Sequence, residues 1–450
     1  MSYIQNIIEN LKISYPIQNE FHQAVTEVLI SIEPILKQYP IYQEHKVIER
    51  IIEPEREIYF RVSWVDDKGC IQVNKGYRVE FSSVLGPYKG GLRFHPSVNE
   101  SIMKFLGFEQ IFKNSLTGLM LGGAKGGSNF DPKGKSDNEI MRFCQSYMSE
   151  LFRHIGAKTD VPAGDIGVGA KEIGYLFGMY KKLVNRYDGV LTGKSTRWGG
   201  SMARKEATGY GIVYFAKNLL EDNGLFLEGK RCIVSGSGNV AIYTMEKLLL
   251  LGAKVIACSD SKGIIHDEHG IDLELIKKIK DENRGSLEEY QVSKPNSKYI
   301  AAESYPENRN LIWSIPCDIA FPCATQNELN INDAKELIKN GVKAVIEGAN
   351  MPSTPDAIKE LQAHNVLFAP SKAANAGGVA TSGFEMAQNA SMQKWDFDEV
   401  EDKLSVIMKN IYTTSLENAK IFDNSSNLVI GANIAGFKKV ADAMIEQGVV

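Results

Sequence analysis

A glycine-rich turn between a predicted strand and a predicted helix places the strongest constraint on the fold. The segment C-I-V-S-G-S-G-N-V-A begins at Cys232 as an apolar run and continues past Asn239 into a helical pattern. In such a turn Gly236 reverses the chain, and Gly238 lets backbone amides approach a pyrophosphate at the helix N-terminus. A second apolar strand follows at 254–259, so the segment predicts a β–α–β unit that binds a dinucleotide. A glycine-rich turn in any other parallel sheet would have a similar sequence.

Apolar runs and helical patterns alternate through the rest of the second half. This alternation indicates a parallel, doubly wound sheet. The predicted strands lie at 230–235, 254–259, 318–321, 344–346 and 366–369. The predicted helices lie at 208–220, 239–251, 331–340, 378–389, 397–418 and 434–446.

The first half has a different pattern, which ends in a segment with the composition of a hinge at 198–201. Its periodicity predicts amphipathic helices at 4–11 and 21–36, a β-hairpin at 58–81 and a helix at 102–112. Glycine-rich loops are predicted at 160–165 and 167–169.

Composition excludes several classes of partner. The 450 residues carry a formal net charge of -4, which gives no general attraction for nucleic acid or for an anionic membrane surface. Six cysteines without a C-x-x-C pair, and no histidine at zinc-ligand spacing, favour free core thiols in a reducing compartment and predict no metal site. The first residues read neither as a signal nor as a transit peptide, and the apolar runs are too short to span a bilayer. We therefore expect a cytoplasmic protein with small-molecule partners.

Two lysines lie in the segment K-N-S-L-T-G-L-M-L-G-G-A-K-G-G, from Lys113 to Gly127. Glycines surround Lys125 on both sides, so backbone and ligand could approach it closely. An amine in such a pocket would have a lowered pKa and could transfer protons at neutral pH. A flexible surface turn with an ordinary solvated lysine remains the alternative from these residues alone.

A carboxylate and a third lysine have similar glycine-rich surroundings. Lys89 lies in P-Y-K-G-G-L-R-F-H-P, and Asp165 in P-A-G-D-I-G. Three lysines and one carboxylate in rigid loops would suit a small dianionic substrate, with two amines for its carboxylates and one for chemistry. Whether these side chains converge in space stays open at this point.

The cofactor signals conflict. Asp260 closes the second strand of the β–α–β unit, where a carboxylate favours NAD by binding a ribose 2′-hydroxyl. Ser261 and Lys262 follow it, and Lys280 and Arg284 lie downstream, which suits the 2′-phosphate of NADP instead.

A series of longer motifs covers nearly the whole chain. They are G-P-Y-K-G-G-L-R-F-H-P, K-N-S-L-T-G, G-G-A-K-G-G, D-V-P-A-G-D-I-G-V-G, A-T-G-Y-G, G-S-G-N-V-A, P-C-A-T-Q-N-E, E-G-A-N-M-P, K-A-A-N-A-G-G-V-A-T-S-G and G-A-N-I-A-G-F. In these motifs and their order, the chain resembles the hexameric glutamate dehydrogenases of the amino-acid dehydrogenase superfamily, NADP-dependent type.

The resemblance implies a role for each matching residue. Lys125 would assist attack of water on the imine carbon, and Asp165 would move protons to and from the amino group. Substrate contacts would come from Lys89 and Ser382 on the side-chain carboxylate, Lys113 and Gln110 on the α-carboxylate, and Gly90 and Gly164 in the pocket lining.

On the cofactor side the resemblance implies contacts with each part of the dinucleotide. Thr208 and Asn375 would contact the nicotinamide, Ser237, Asn239 and Val240 the pyrophosphate, and Ala324, Gln326 and Asn350 the ribose or the nicotinamide side. Ser237 and Ser261 resemble NADP-dependent members, and Lys280 matches a position suited to the 2′-phosphate. Two departures from the family pattern are Asn283, where some members have an arginine, and Lys205, where proline is usual.

Together these observations predict an α/β protein with two domains about a cleft. Residues 1–198 with the C-terminal helix 425–450 would form a substrate-binding and assembly domain, and 199–424 a Rossmann-like doubly wound dinucleotide-binding domain. The resemblance implies reversible oxidative deamination of L-glutamate to 2-oxoglutarate and ammonium with NADP, by a homohexamer.

Three alternatives differ from this prediction in one property each. The first is an NAD-dependent glutamate dehydrogenase. The second is an aliphatic amino-acid dehydrogenase, which Lys89 and Ser382 disfavour because an alkyl substrate would leave the buried ammonium unpaired. The third is a catalytically silent, dinucleotide-sensing assembly protein, which would not need Lys125 and Asp165.

Overall fold

The structure is a computed structural model that describes residues 2–282, 285–423 and 425–450. The helices are α1 (Tyr3–Ser14), α2 (Asn19–Ser31), α3 (Glu33–Gln38), α4 (Ile41–Glu44), α5 (Val47–Ile51), α6 (Glu100–Leu116), α7 (Asp137–Leu151), α8 (Ala170–Val184), α9 (Ala207–Asp222), α10 (Asn239–Leu250), α11 (Leu273–Lys277), α12 (Glu288–Ser293), α13 (Ile331–Lys339), α14 (Pro355–Ala363), α15 (Ser371–Ala374), α16 (Gly377–Ser391), α17 (Phe397–Asp423) and α18 (Leu428–Glu446). The strands are β1 (Arg56–Val65), β2 (Ile71–Ser82), β3 (Tyr88–Phe94), β4 (Gly123–Ser128), β5 (Asp160–Gly164), β6 (Arg231–Val234), β7 (Lys254–Ser259), β8 (Gly263–His266), β9 (Lys298–Ala301), β10 (Ile319–Phe321), β11 (Ala344–Ile346) and β12 (Leu367–Ala369).

The first half is built on a mixed sheet with the order β1-β2-β4-β3-β5 among the described residues. The predicted hairpin is confirmed: β1 and β2 pair antiparallel, from Arg56 opposite Glu80 to Val65 opposite Ile71. β4 pairs antiparallel with β2, and β3 lies parallel to both β4 and β5. β3 is therefore the middle one of the three strands, β4, β3 and β5, that face the other half of the chain.

Three glycine-rich segments that we expected to be loops are strands instead. Lys89 lies on β3, Lys125 lies on β4, and 160–164 forms β5. The glycines allow the backbones to approach: a Cβ at Gly90 would lie 1.6 Å from the carbonyl oxygen of Ala124 on the neighbouring strand. Glycine here permits close contact between neighbouring strands. Sequence composition alone does not distinguish such a strand from a flexible turn.

The helix expected over 21–36 is two helices. α2 ends at Ser31 and α3 begins at Glu33, with Pro34 in its first turn. Proline lacks the amide hydrogen that would continue the earlier helix, so the chain bends there. The other predicted helices are confirmed to within several residues at their ends, most of them being longer than predicted.

The second sheet has the order β12-β11-β10-β6-β7-β8-β9 in the part of the chain that the structure describes. β12, β11, β10, β6 and β7 are parallel, as predicted. β8 and β9 extend it antiparallel at one edge. They were not predicted, because each has only four residues and β9 has a polar neighbourhood. The glycine-rich turn follows β6. The next parallel strands lie on opposite sides of β6, β7 on one side and β10 on the other, so the strand order reverses there. Ligands bind at such a point in doubly wound sheets.

The second sheet is covered on both faces, and the first sheet is covered on both faces except along the outer part of the β1–β2 hairpin. In β6, Cys232 and Val234 pack into one apolar core, and Ile233 into another on the opposite face. In the first half, Phe81 of β2 packs with α2, α6 and α18, while Phe94 of β3 packs with α7 and α8. None of the helices in the described ranges has both the length and the apolar character that a membrane span requires.

The cysteines behave largely as predicted. All six lie in described regions and are free, and five of them are buried. Cys70 differs because it lies in the β1–β2 turn, which the Asp66 carboxylate closes by accepting hydrogen bonds from the amides of Lys68 and Cys70. Only its exposure departs from the expected core position.

Candidate active site

A cleft of about 590 Å³ separates the two sheets and contains most of the predicted site residues. β3, α6, β4 and β5 line it from one side, and α9, α16 and the loops after β10 and β11 line it from the other. The predicted residues in its wall are Lys89, Gly90, Gln110, Lys113, Lys125, Gly164, Asp165, Thr208, Val240, Ala324, Gln326, Asn350, Asn375 and Ser382. The three lysines and the carboxylate therefore line one cavity.

Asn114 attaches helix α6 to β3 and to the residue just before β4. This fully buried side chain donates hydrogen bonds to the carbonyl oxygens of Lys89, at 3.0 Å, and Gly122, at 2.5 Å. It also accepts one from Gln110 Nε2 at 2.6 Å. Asn114 thereby sets the position of Gln110 and Lys113 relative to β3 and β4.

Lys125 is a buried group in contact with Asp165. It is 5% exposed, which excludes the solvated surface turn, and its Nζ lies 3.2 Å from Asp165 Oδ1. Burial lowers the pKa of Lys125 below its usual value, although the Asp165 charge partly opposes this effect. Burial raises the pKa of Asp165, but Lys125 and Arg93 outweigh burial, so the pKa of this carboxyl is below its usual value.

Lys89 is a buried amine and Lys113 a partly buried one, and neither has a carboxylate partner among the described residues. Neither forms an ion pair within the described part of the chain, and Lys89 Nζ donates to Thr192 Oγ1 at 2.9 Å. Burial, together with Arg78 and Arg204, lowers the pKa of Lys89 to about 7. Burial and the Lys125 charge lower the pKa of Lys113 to about 8. A bound anion would remove this electrostatic cost at each position.

Three further polar residues that were not predicted lie at the site. Arg93 lines the cleft and donates to Asp165, and Arg204 lines it with an Nε that has no hydrogen-bond partner among the described residues. Thr192 is fully buried against Lys89. Arg93 lies within a quoted motif and Arg204 three residues before another, but sequence does not reveal which of these residues face the cleft.

A buried ion pair joins the two halves beside the cleft. Lys194 Nζ lies 2.8 Å from Glu385 Oε1, and both side chains are fully buried. Glu385 also accepts a hydrogen bond from the amide of Gly193, at 2.9 Å. Glu385 is one helical turn after Ser382 on α16, so this pair fixes the helix that carries Ser382.

The glycine-rich turn has the conformation that its sequence predicted. Gly236 has φ +88 and its amide donates to Ser259 Oγ at 2.9 Å, while Gly238 is the N-cap of α10. Ser237 is mostly buried, and Asn239 Nδ2 donates to the carbonyl oxygen of Lys205 at 2.7 Å. Among the predicted cofactor residues, Gly236, Ser237, Gly238, Asn239, Asp260, Ser261 and Lys280 lie outside the wall of the cleft itself.

The Asp260 carboxylate is already engaged. It accepts hydrogen bonds from Lys280 Nζ at 2.9 Å and from the amides of Lys262 at 2.8 Å and Leu287 at 3.2 Å. Burial raises the pKa of Asp260, but these bonds outweigh burial and lower it overall. Lys280 lies in a π-helical turn, Lys278–Glu282, and Ser261 is exposed. Asn283 and Arg284, which also bore on the cofactor, lie outside the described residues.

Asn375 has hydrogen-bonding capacity left for a ligand. Its Nδ2 donates to the carbonyl oxygen of Gly348 at 3.1 Å and to Asn350 Oδ1 at 3.0 Å. Its buried Oδ1 has no partner in the described regions. Because an unpaired buried acceptor is costly, a donor such as a carboxamide N–H would complete the site.

Comparison with known families assigns the chain. The model described as Glutamate/Leucine/Phenylalanine/Valine dehydrogenase matches residues 199–448, and the one described as Glu/Leu/Phe/Val dehydrogenase, dimerisation domain, matches residues 54–182. The chain belongs to the glutamate/leucine/phenylalanine/valine dehydrogenase family. The two matches cover the two sheets described above.

Individual family members are similar over their full length. The chain is 61% identical over 447 residues to the NADP-specific glutamate dehydrogenase of Helicobacter pylori, covering 99% of this chain and 100% of the relative. It is 54% identical over 450 residues to the NADP-specific glutamate dehydrogenase of Escherichia coli, covering 99% of each. The structure of Plasmodium falciparum glutamate dehydrogenase superposes with a TM-score of 0.96 at 53% identity, covering 99% of this chain and 95% of that one.

Proposed function

We propose that this member of the family catalyses the reversible oxidative deamination of L-glutamate to 2-oxoglutarate and ammonium with NADP(H). The proposal is supported above all by two amines that lack a carboxylate partner among the described residues, the buried Lys89 and the partly buried Lys113. Lys89 has Arg204 as a charged neighbour, and Lys113 has Lys125. The cleft therefore contains two pairs of cationic side chains. A dicarboxylate would satisfy both groups, whereas an alkyl amino acid would leave Lys89 unpaired. The relatives' names agree with this substrate.

The residues predicted to contact the substrate each have a place in this reaction. Lys89 and Ser382 bind the side-chain carboxylate, Lys113 and Gln110 bind the α-carboxylate, and Gly90 and Gly164 line the pocket. The lowered pKa of Lys125 lets its amine take a proton from the water that attacks the imine carbon. Asp165 moves protons to and from the amino nitrogen. Closure of the cleft about the 198–201 segment would exclude water and strengthen the lysine–carboxylate contacts.

NADP is the cofactor that suits the residues present. When bound, it supplies the hydride acceptor. Lys280 and Ser261 would bind its 2′-phosphate, because Asp260 is held by Lys280 and by backbone amides instead of standing free for a ribose hydroxyl. The turn formed by Gly236, Ser237, Gly238, Asn239 and Val240 would hold the pyrophosphate, and Thr208, Ala324, Gln326, Asn350 and Asn375 the nicotinamide and its ribose.

We further propose a cytoplasmic homohexamer with the domain limits 1–198 plus 425–450, and 199–424. Free buried thiols support a reducing compartment. Tyr59, Val65, Ile71 and Val73 support assembly, because they project from one face of the β1–β2 hairpin and are exposed. The dimerisation-domain match includes this hairpin.

The function is tested by following NADPH absorbance with 2-oxoglutarate and ammonium. We expect oxidation that requires both substrates, with a higher kcat/KM for NADPH than for NADH. A higher kcat/KM with NADH would establish the NAD-dependent alternative. Dinucleotide binding without turnover on any amino or keto acid would establish the silent sensor, and preference for an aliphatic keto acid would overturn the substrate assignment.

A further inference from the structure

Arg93 enters the cleft beside Lys125 and Asp165. Along β3, the side chains of Lys89 and Arg93 point to the same face as Gly91, because strand residues alternate between faces. Gly91 leaves space between them: a Cβ there would lie 2.9 Å from Asp165 Cβ and 3.4 Å from Lys125 Nζ. The strand therefore holds a guanidinium next to the two groups to which proton transfer is assigned.

Each carboxylate oxygen of Asp165 contacts a different cation. Arg93 Nε donates to Oδ2 at 2.7 Å, whereas Lys125 Nζ lies 3.2 Å from Oδ1. The shorter contact is a charge-assisted hydrogen bond, and the longer one is weaker. The Arg93 and Asp165 side chains are 15% and 19% exposed, so water and salt screen their attraction little.

The two cations differ in how firmly they hold their charge. A guanidinium keeps its proton in proteins, whereas burial lowers the pKa of Lys125 and makes its neutral form accessible. Whenever Lys125 is neutral, Arg93 still balances the charge of Asp165. Without it, that carboxylate would be buried without a cation in contact among the described residues.

We propose that Arg93 is a positioning residue that occupies Oδ2 of Asp165 and leaves Oδ1 as the oxygen that exchanges protons with the substrate nitrogen. The proposal rests on the proposed function. In the oxidative direction, a proton of the α-ammonium group passes to Oδ1, and the electron pair of the broken N–H bond stays on nitrogen. In the reductive direction the proton returns. Arg93 keeps its own protons in both directions.

The test is the pH dependence of glutamate oxidation by the full chain and by Arg93→Met and Arg93→Lys. Loss of the positive charge raises the pKa of Asp165, so in Arg93→Met the acidic limb of kcat/KM moves up by about one pH unit or more. Turnover falls most at the acidic end of the profile, where a larger fraction of Asp165 is protonated, and recovers as the pH rises. KM for glutamate changes less than about threefold, because the substrate carboxylates bind elsewhere. Arg93→Lys keeps a positive charge beside Asp165, so its acidic limb should lie closer to that of the parent protein.

Two controls separate this role from a structural one. Arg153→Met removes an arginine whose carboxylate partner Glu150 is on the surface, and its profile should match that of the parent protein. If Arg93→Met does not fold, Arg93→Gln keeps an N–H donor without the charge and should show the same shift. An equal loss at every pH, or an unshifted profile, would overturn the proposal. If the unaltered protein does not oxidise glutamate with NADP, the proposed function fails instead.

Discussion

Lys89 shows how burial changes the chemistry of an ordinary side chain. It is 1% exposed, and its nearest polar contact is the hydroxyl of Thr192 at 2.9 Å. Burial and two arginine charges lower its pKa from 10.5 to about 7. At a pH between these two pKa values, Lys89 is a neutral amine in the folded, ligand-free protein and an ammonium group in the unfolded chain. A carboxylate that binds there favours the charged form again.

Binding of a dicarboxylate should therefore take up protons. We expect that near pH 8 glutarate, which has no amino group, binds with uptake of up to about one proton at Lys89, with a further fraction at Lys113. For the same reason its affinity should fall as the pH rises above about 7. Calorimetric titrations in two buffers of different ionisation enthalpy measure the uptake directly.

The matched variant for this measurement is Lys89→Met. Methionine has a similar length and no titrating group, so the Lys89 share of the uptake should disappear while the Lys113 share remains. Equal proton uptake by the variant and the parent protein would show that Lys89 does not bind the ligand as an ammonium.

At the scale of elements, the site depends on how closely β3 approaches β4. The missing side chain of Gly90 admits the Ala124 carbonyl oxygen, which comes immediately before Lys125. The Asn114 hydrogen bonds hold α6 against the same two strands. The Lys125 amine is therefore positioned by backbone packing as well as by its own contacts.

Gly90→Ala should displace β4 and with it Lys125. We expect the free energy of unfolding to fall by about 1–3 kcal/mol, because the added methyl group meets backbone that cannot rotate away. Glutamate turnover should fall more than glutamate affinity. Urea unfolding and steady-state kinetics measure the two effects.

Gly178→Ala is the matched control. Gly178 lies within α8, and a Cβ there meets no atom within 4 Å, so this variant should gain roughly 0.5–1 kcal/mol from reduced backbone freedom. If Gly90→Ala were as stable and active as the control, close strand packing would not position the site.

The same elements show what sequence can predict. The parallel strands were found because apolar runs such as the one at Cys232 alternate with helical patterns. β3, β4 and β5 were missed because their glycines have low strand propensity, and their pairing partners are distant in sequence. Motifs led to Lys125 and Asp165 as candidate residues, whereas the contact between Arg93 and Asp165 depends on a pairing between strands that no local pattern encodes.

At the scale of the whole molecule, one face of the β1–β2 hairpin has no cover within the described chain. Tyr59, Ile71 and Val73 are 63%, 76% and 61% exposed, while Val62 and Trp64 on the opposite face are buried. β1 is also an edge strand of its sheet. Exposed apolar residues on an edge are usual where a second copy binds.

Disruption of this face should reduce the size of the assembly. We expect Ile71→Lys combined with Val73→Lys to give a smaller particle by light scattering after gel filtration, because the added charges cannot be buried between copies. Val292→Lys changes a valine outside this hairpin that is at least as exposed, and it should leave the mass unchanged. An unchanged mass for the double variant would place the subunit contacts elsewhere.

The buried pair between Lys194 and Glu385 also has a mechanical consequence. It attaches α16 to the segment just before 198–201, so it lies close to the axis about which the two halves would rotate. Points near an axis of rotation travel least. Ser382 lies one turn from Glu385 on α16, so its distance from Lys89 would stay nearly constant. Ala324 and Gln326 would move further. Selection of the substrate by its distal carboxylate would then precede closure, and only the alignment of its α-carbon with the nicotinamide would await the movement.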